Sequence, residues 1–177
     1  MRIVGGSRKG HRVEAPRGGA TRPTSDRVRE AVFSILGPVE GARCLDLFAG
    51  SGAMGLEALS RGARSCLFVE RHRGACRAIR ANLERLRLEG GRVRCADVER
   101  ALRAEAAGGE RYDLVLIDPP YGEWARVEET LARLLPPLLA EGARVVVETP
   151  AETEPALPLD RATTRRYGSA RITVFER

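Results

Sequence analysis

Lysine is almost missing from this chain: Lys9 is the only one, and arginine supplies every other basic side chain. Aromatic residues make up 5% of the 177 positions, histidine occurs twice, and the four cysteines form no CxxC pair. Cys44, Cys66, Cys76 and Cys95 are separated by 22, 10 and 19 residues, with only His11 and His72 to supplement them, so no structural metal is expected. Cys44, Cys66 and Cys95 fall in apolar runs and are expected to be small buried hydrophobes, suited to a reducing cytoplasm. Long hydrophobic runs are lacking too. Nothing approaches the roughly 18 residues of a membrane-spanning helix, and the longest run, around Leu134 to Ala140, is broken by two prolines. Met1-Arg-Ile-Val-Gly-Gly offers no apolar stretch for a signal peptide, so a cytoplasmic location is expected.

What is there is a globular composition, 43% hydrophobic and 31% charged, of a length that predicts one domain without need of metal or disulfide. The net charge is +6, and residues 1–30 hold eight basic side chains against three acidic ones. Arginine bias explains the type of base but not why acids are missing from this one segment. Such a concentration is the footprint of a contact with a phosphate backbone, although a solvated tail would look similar. Arg2, Arg8, Lys9, Arg12, Arg22 and Arg27 are the candidate substrate-binding residues. Two regions are expected: a basic N-terminal extension over 1–24 and a main domain over 25–177.

Along the chain, Gly10 to Ala15 has some strand character and residues 15–24 read as a turn-rich loop. Val28, Ala31, Val32, Ile35 and Leu36 recur at helical spacing, with Thr24 or Ser25 as cap and Gly37-Pro38 as stop. Apolar strands and amphipathic helices then alternate. Strands are predicted from Arg43, Ser65, Gly91 and Tyr112 and over Ala143 to Glu148; helices follow over Gly52 to Arg61, through Ala75, Ile79, Leu83 and Leu86, and through Leu102 and Ala106. That rhythm predicts an α/β fold with a doubly wound, mostly parallel sheet covered on both faces. Ala162 to Tyr167 and Ala170 to Glu176 are joined only by Gly168-Ser169, so this last pair must be an antiparallel hairpin.

Asp46-Leu-Phe-Ala-Gly-Ser-Gly-Ala-Met-Gly55 spans the first strand-to-helix turn, and its glycines match G-x-G-x-x-G. Glu70 ends the second strand 20 residues after Gly50, placed to accept from ribose hydroxyls. This pattern points to an adenosine-containing ligand. A carboxylate at Asp46 suits the cationic amino-acid end of S-adenosylmethionine and would repel a pyrophosphate, and the terminal hairpin fits the same choice. Asp97, after the third strand, either receives the adenine amino group or caps the next helix.

Asp118-Pro-Pro-Tyr121 follows the fourth strand, at the carboxyl edge where such sheets bind ligands. Pro119 and Pro120 carry no backbone donors, so with the Asp118 carboxylate they form a rigid corner of acceptors. Acceptors are what an exocyclic amine requires: they hold its N–H groups while its lone pair faces a methyl donor, and Asp118 can take up the proton. Tyr121 offers a face for a base taken out of its stack.

These residues carry a likeness. Leu45 to Ala63 with Asp118-Pro-Pro-Tyr resembles the S-adenosylmethionine-dependent N-methyltransferases. Arg2-Ile-Val-Gly-Gly, Gly10 and Thr21-Arg-Pro-Thr-Ser-Asp-Arg-Val-Arg-Glu-Ala narrow it: the chain resembles the bacterial 16S ribosomal RNA guanine-N2 methyltransferases of the RsmD type, from residue 2 to the last strand. The resemblance implies a Rossmann-like methyltransferase fold of seven strands with the last inserted antiparallel, S-adenosylmethionine as methyl donor, and a guanine of small-subunit RNA as acceptor. It places cofactor contacts at Asp46, Gly50, Gly52, Glu70 and Asp97, with Phe48, Ser51, Gly55, Arg71 and Val98 beside them. It also implies that the loop from Thr21 to Thr24 closes over the cofactor's methionine end, with Arg22 and Arg27 facing the site. The target base falls between Asp118 and Tyr121, the RNA partner is expected within a small-subunit particle, and the enzyme is expected to be a monomer. Relatives with phenylalanine at position 121 imply that stacking matters there rather than the hydroxyl.

Other readings use the same residues. A DNA adenine or cytosine N-methyltransferase would share the acceptor corner, but such enzymes commonly add a target-recognition segment. A protein-glutamine methyltransferase usually has asparagine where this chain has Asp118. A non-catalytic RNA-binding module would not need intact glycines, Glu70 and Asp118. A nicotinamide dehydrogenase would account for the glycines and leave Asp118 to Tyr121 without a role.

Overall fold

Seven strands, β1 (Arg43–Leu47), β2 (Ser65–Glu70), β3 (Gly91–Cys95), β4 (Tyr112–Ile117), β5 (Leu139–Pro150), β6 (Asp160–Tyr167) and β7 (Ala170–Glu176), form one sheet in the order β3-β2-β1-β4-β5-β7-β6. This computed structural model describes residues 1–16, 25–120 and 122–177. The first five strands are parallel, and β7 is inserted antiparallel between β5 and β6. The chain therefore has the Rossmann-like methyltransferase fold, with its topological switch point between β1 and β4. A crevice opens there because the connections leave toward opposite sides of the sheet.

Each face of the sheet is covered. Cys44, Leu114, Leu116 and Val146 meet α1 (Asp26–Leu36), α2 (Ala53–Ser60) and α3 (Arg73–Leu86) through Val32, Phe33, Leu56 and Ile79. Leu45, Leu47, Val115 and Val145 meet α4 (Val98–Ala107) and α5 (Trp124–Leu134) through Leu102, Trp124 and Leu131. Successive strand residues point to opposite faces. Asp46 thus shares the Cys44 side with Leu116 and Val146, which decides where its carboxylate goes.

Several sequence expectations need correction. The predicted elements include no helix between Tyr121 and Leu134, yet α5 fills that stretch, with Trp124, Val127 and Leu131 recurring at helical spacing. Strand β5 starts at Leu139 rather than Ala143, and its pairing with β4 shifts register between Tyr112 and Leu114. Cys95 is exposed, whereas Cys76, on α3, is buried with Cys44 and Cys66. The run from Gly10 to Ala15 contributes only one bridge, Arg2 to Arg12.

The described part of the N-terminal segment is fastened to the body rather than trailing from it. Ile3 and Val13 lie in the same core cluster as α1 and α2. The backbone N–H of Val4 donates to Glu57 Oε2 at 2.8 Å, and that of Arg8 donates to Ser60 Oγ at 2.9 Å. Arg29, counted above among the basic charges of the segment, is fully buried, bonded to the Arg2 carbonyl and paired with Asp26 at 2.8 Å. A buried guanidinium must be paired in this way, since leaving it alone in the core would cost several kcal/mol.

Candidate active site

The carboxyl ends of β1, β2, β4 and β5 open into one cavity of about 710 Å³, within the range of small-molecule and cofactor sites. Asp46, Glu70, Asp118 and Glu148 stand at or near the carboxyl ends of these four strands, and all four line it. Asp97, Glu99 and Glu123 add further carboxylates, against Arg71 and Arg126 as the arginines of the lining among the described residues. A chain of net charge +6 has gathered acids around this cavity.

The glycine turn is organised by Asp46. This residue is 3% exposed, and its Oδ2 accepts from the Gly55 N–H, in the first turn of α2, at 2.9 Å. Burial raises its carboxyl from the usual 3.8 to about 7; the Gly55 N–H opposes that rise, while the charges of Asp118 and Glu70 add to it. Glu70 braces the turn from the other side, its Oε2 accepting from Gly50 N–H at 2.9 Å and its Oε1 from His72 N–H at 2.8 Å. Phe48, at φ 60, takes the left-handed backbone region that side chains other than glycine rarely adopt. The strand thus leaves β1 in a sharp bend that exposes Ala49 and Gly50 to the cavity.

The glycines divide by task. Gly50 and Ser51 line the cavity, whereas Gly52 and Gly55 do not. A Cβ on Gly55 would lie 2.3 Å from Phe68 Cε1 and 2.6 Å from Cys66 Sγ, so this glycine lets α2 approach β2 closely. A Cβ on Gly52 would press on Ile79, and its φ of 79° also favours glycine.

Of the other expected site residues, Phe48, Arg71, Asp97, Val98, Asp118, Pro119 and Pro120 all line the cavity. Asp97 caps α4, accepting from Glu99 N–H at 2.9 Å, and it also stands at the cavity wall. Arg71 reaches across to Glu123 at 2.7 Å, tying the end of β2 to the turn that follows Pro120. Thr21, Arg22, Thr24 and Tyr121 lie outside the described residues. Arg2, Lys9, Arg12 and Arg27 stand away from the cavity lining, and Arg2, Lys9 and Arg12 are exposed. Arg8 is otherwise engaged, its guanidinium donating to the carbonyls of Leu86 at 2.5 Å and Arg87 at 3.2 Å, at the end of α3.

Sequence reasoning missed part of the wall. Glu148, Thr149 and Pro150 at the end of β5, and Tyr167 to Ala170 at the hairpin turn, also line the cavity. The signal for Glu148 was present, since it ends a predicted strand at the carboxyl edge. Asn82 was missed as well: 1% exposed on α3, it donates to the Glu14 carbonyl at 2.9 Å and accepts from the Glu14 N–H at 3.0 Å. Among the described residues, no group of three or more histidine, cysteine or acidic side chains is arranged to hold a metal, and no helix is long and apolar enough to cross a membrane.

Fold and crevice together define a protein of the methyltransferase class of Rossmann-like folds. The comparisons carry this to a family: the one described as Conserved hypothetical protein 95 matches residues 1–176, and the chain belongs to it. It is the RsmD-type family whose likeness the sequence carried. The Ribosomal RNA small subunit methyltransferase D of Escherichia coli (strain K12) is 39% identical over 160 residues, covering 89% of this chain and 78% of that one. The putative rRNA methyltransferase YlbH of Bacillus subtilis (strain 168) is 39% identical over 184 residues, covering 100% of this chain and 99% of its own. Among solved structures, the hypothetical protein TTHA0928 of Thermus thermophilus superposes with a TM-score of 0.86 at 35% identity, covering 100% of this chain and 99% of that one.

Proposed function

We propose that this protein is an S-adenosylmethionine-dependent ribosomal RNA methyltransferase that modifies the exocyclic N2 amine of a guanine in 16S RNA. The observation that carries the cofactor reading is the hydrogen bond from Gly55 to Asp46. In a dinucleotide site the first turn of the helix after the glycines receives a pyrophosphate. Here a buried carboxylate already occupies that position, and the cavity around it is lined with acids. Such a lining repels phosphate and attracts cations. S-adenosylmethionine, bearing an ammonium and a sulfonium, fits this donor set and supplies an electrophilic methyl whose carbon–sulfur bond breaks as the acceptor attacks. The name and 39% identity of the Escherichia coli relative support RNA of the small subunit as the substrate.

The residues of the chain divide the work as follows. Asp46 faces the ammonium, Gly50 and Ser51 leave room for the ligand against the backbone, and Glu70 offers its remaining lone pairs to the ribose. Asp97 and Val98 border the adenine. Asp118 and the Pro119 carbonyl accept the two N–H groups of the target amine, so that its lone pair points at the methyl carbon. As the new N–C bond forms, the amine sheds one proton to Asp118, directly or through water. Tyr121 stacks against the extruded base, Thr21 and Thr24 border the methionine end, and Arg22 faces the site. The basic extension over residues 1–24, whose described part is seated on the methyltransferase domain of residues 25–177, holds the RNA backbone through Arg2, Lys9 and Arg12.

Labelled methyl groups from S-adenosylmethionine, mapped onto small-subunit RNA both free and in particles, test the whole reading. N2-methylguanine at one position is the expected product. Label on another base, on DNA alone or on no nucleic acid overturns it.

A further inference from the structure

Asp118 has a neighbour of the same charge one strand away. Ile117 of β4 pairs in register with Val147 of β5, so Asp118, the first residue past β4, stands beside Glu148, which β5 carries on in its pairing with β7. Parallel backbones here run about 4.8 Å apart. Both residues fall on the sheet face of Leu116 and Val146, and both line the main cavity and the small hollow next to it that Asp46, Val32 and Met54 share. Asp118 and Glu148 each have an interaction of their own in this structure.

One amine does not need two carboxylates. Its two N–H groups are met by Asp118 and the Pro119 carbonyl in the reading above, on which this inference rests. The atom next to the amine on the ring edge is what distinguishes the bases. In guanine the ring nitrogen beside N2 carries a hydrogen, so N1–H and N2–H present two adjacent donors. In adenine and cytosine the ring nitrogen beside the amine bears a lone pair instead. A carboxylate accepts from the first and repels the second, and an extruded base is read along this edge.

We infer that Glu148 is a specificity-determining residue that accepts the N1–H of the target guanine while Asp118 holds its N2 amine. The two neighbouring carboxylates, one just past β4 and one near the end of β5, then select a base with two neighbouring donors and reject adenine and cytosine.

The test replaces the guanine that the wild-type enzyme methylates with 2-aminopurine, by ligating synthetic RNA into otherwise unmodified small-subunit RNA. 2-Aminopurine keeps the N2 amine but has a lone pair at N1. Wild type should prefer guanine by about 10-fold or more in kcat/KM. Glu148→Gln, whose amide can donate to that lone pair, should lose guanine turnover and erase most of the preference. Glu148→Asp keeps the charge and should keep the preference while turning over more slowly. Binding of S-adenosylhomocysteine, followed by calorimetry, should stay within a few fold in both variants. An equal fall on both bases, an unchanged ratio in Glu148→Gln, or a lost preference in Glu148→Asp overturns the assignment and leaves the guanine reading intact. Absence of N2-methylguanine from the wild-type product instead overturns the functional reading, and this inference with it.

Discussion

Asp46 and Gly55 are joined by a hydrogen bond of 2.9 Å that closes the glycine turn from inside, carboxylate to helix N-terminus. The bond gives the first turn of α2 a partner that its own cap, Gly52, lacks a side chain to provide. It also fixes the carboxylate at the floor of the cavity.

With Asp46 facing the ammonium as proposed, its raised pKa, about 7, should make cofactor affinity depend on pH. An ammonium binds the ionised form, so below pH 7 binding must expel a proton. Affinity for S-adenosylhomocysteine should rise with pH up to about 7 and level off there, and calorimetry at about pH 6 in buffers of different ionisation heat should detect proton release. Stability moves the other way. The folded form holds its proton above the ordinary 3.8, so the contribution falls as pH rises from about 4 through 7. Asp46→Asn should flatten both dependences, weaken binding, and raise the melting temperature above pH 7. A pH dependence of binding that survives this substitution would exclude Asp46 as its source.

Asp118→Ala should lower methyl transfer by about 100-fold or more, the range of general-base and positioning losses, while S-adenosylhomocysteine affinity stays within a few fold. Tyr121→Ala should cost about 1–3 kcal/mol in RNA turnover, and Tyr121→Phe far less. Single-turnover kinetics separate these effects from product release. Equal losses in the two tyrosine variants would assign the hydroxyl a part in the reaction.

Gly55→Ala is a packing test. Its added methyl would overlap Phe68 and Cys66, neither of which has space to retreat in a filled core, so about 1–3 kcal/mol of stability should be lost. Denaturant unfolding reads the loss directly. Little change would mean that α2 can slide on the sheet.

The basic residues of the extension should separate into two groups. Lys9→Gln with Arg12→Gln should reduce the salt dependence of RNA binding by about one unit of slope each and leave the melting temperature near wild type. Arg8→Gln should instead lower the melting temperature, because its guanidinium ties the segment to the end of α3. Filter binding across a salt series, with a thermal melt of each variant, distinguishes them.

Much of this protein was legible in its sequence. The alternation of apolar strands and amphipathic helices, the glycine turn, Glu70 and Asp118-Pro-Pro are each local patterns, and the two-residue link at Gly168-Ser169 excluded a parallel crossover. Periodicity and connection length set these features because they depend on neighbours along the chain. Tertiary structure alone decided which charges are buried. Arg29 and Glu57 look like surface residues on a helix, yet both are 0% exposed because the N-terminal segment folds over them. Nor does spacing reveal that Gly55 serves packing while Gly50 lines the cavity, or that Glu148 stands beside Asp118. Those facts follow from strand order and register, which bring residues 30 positions apart into contact range only after β5 has paired with β4.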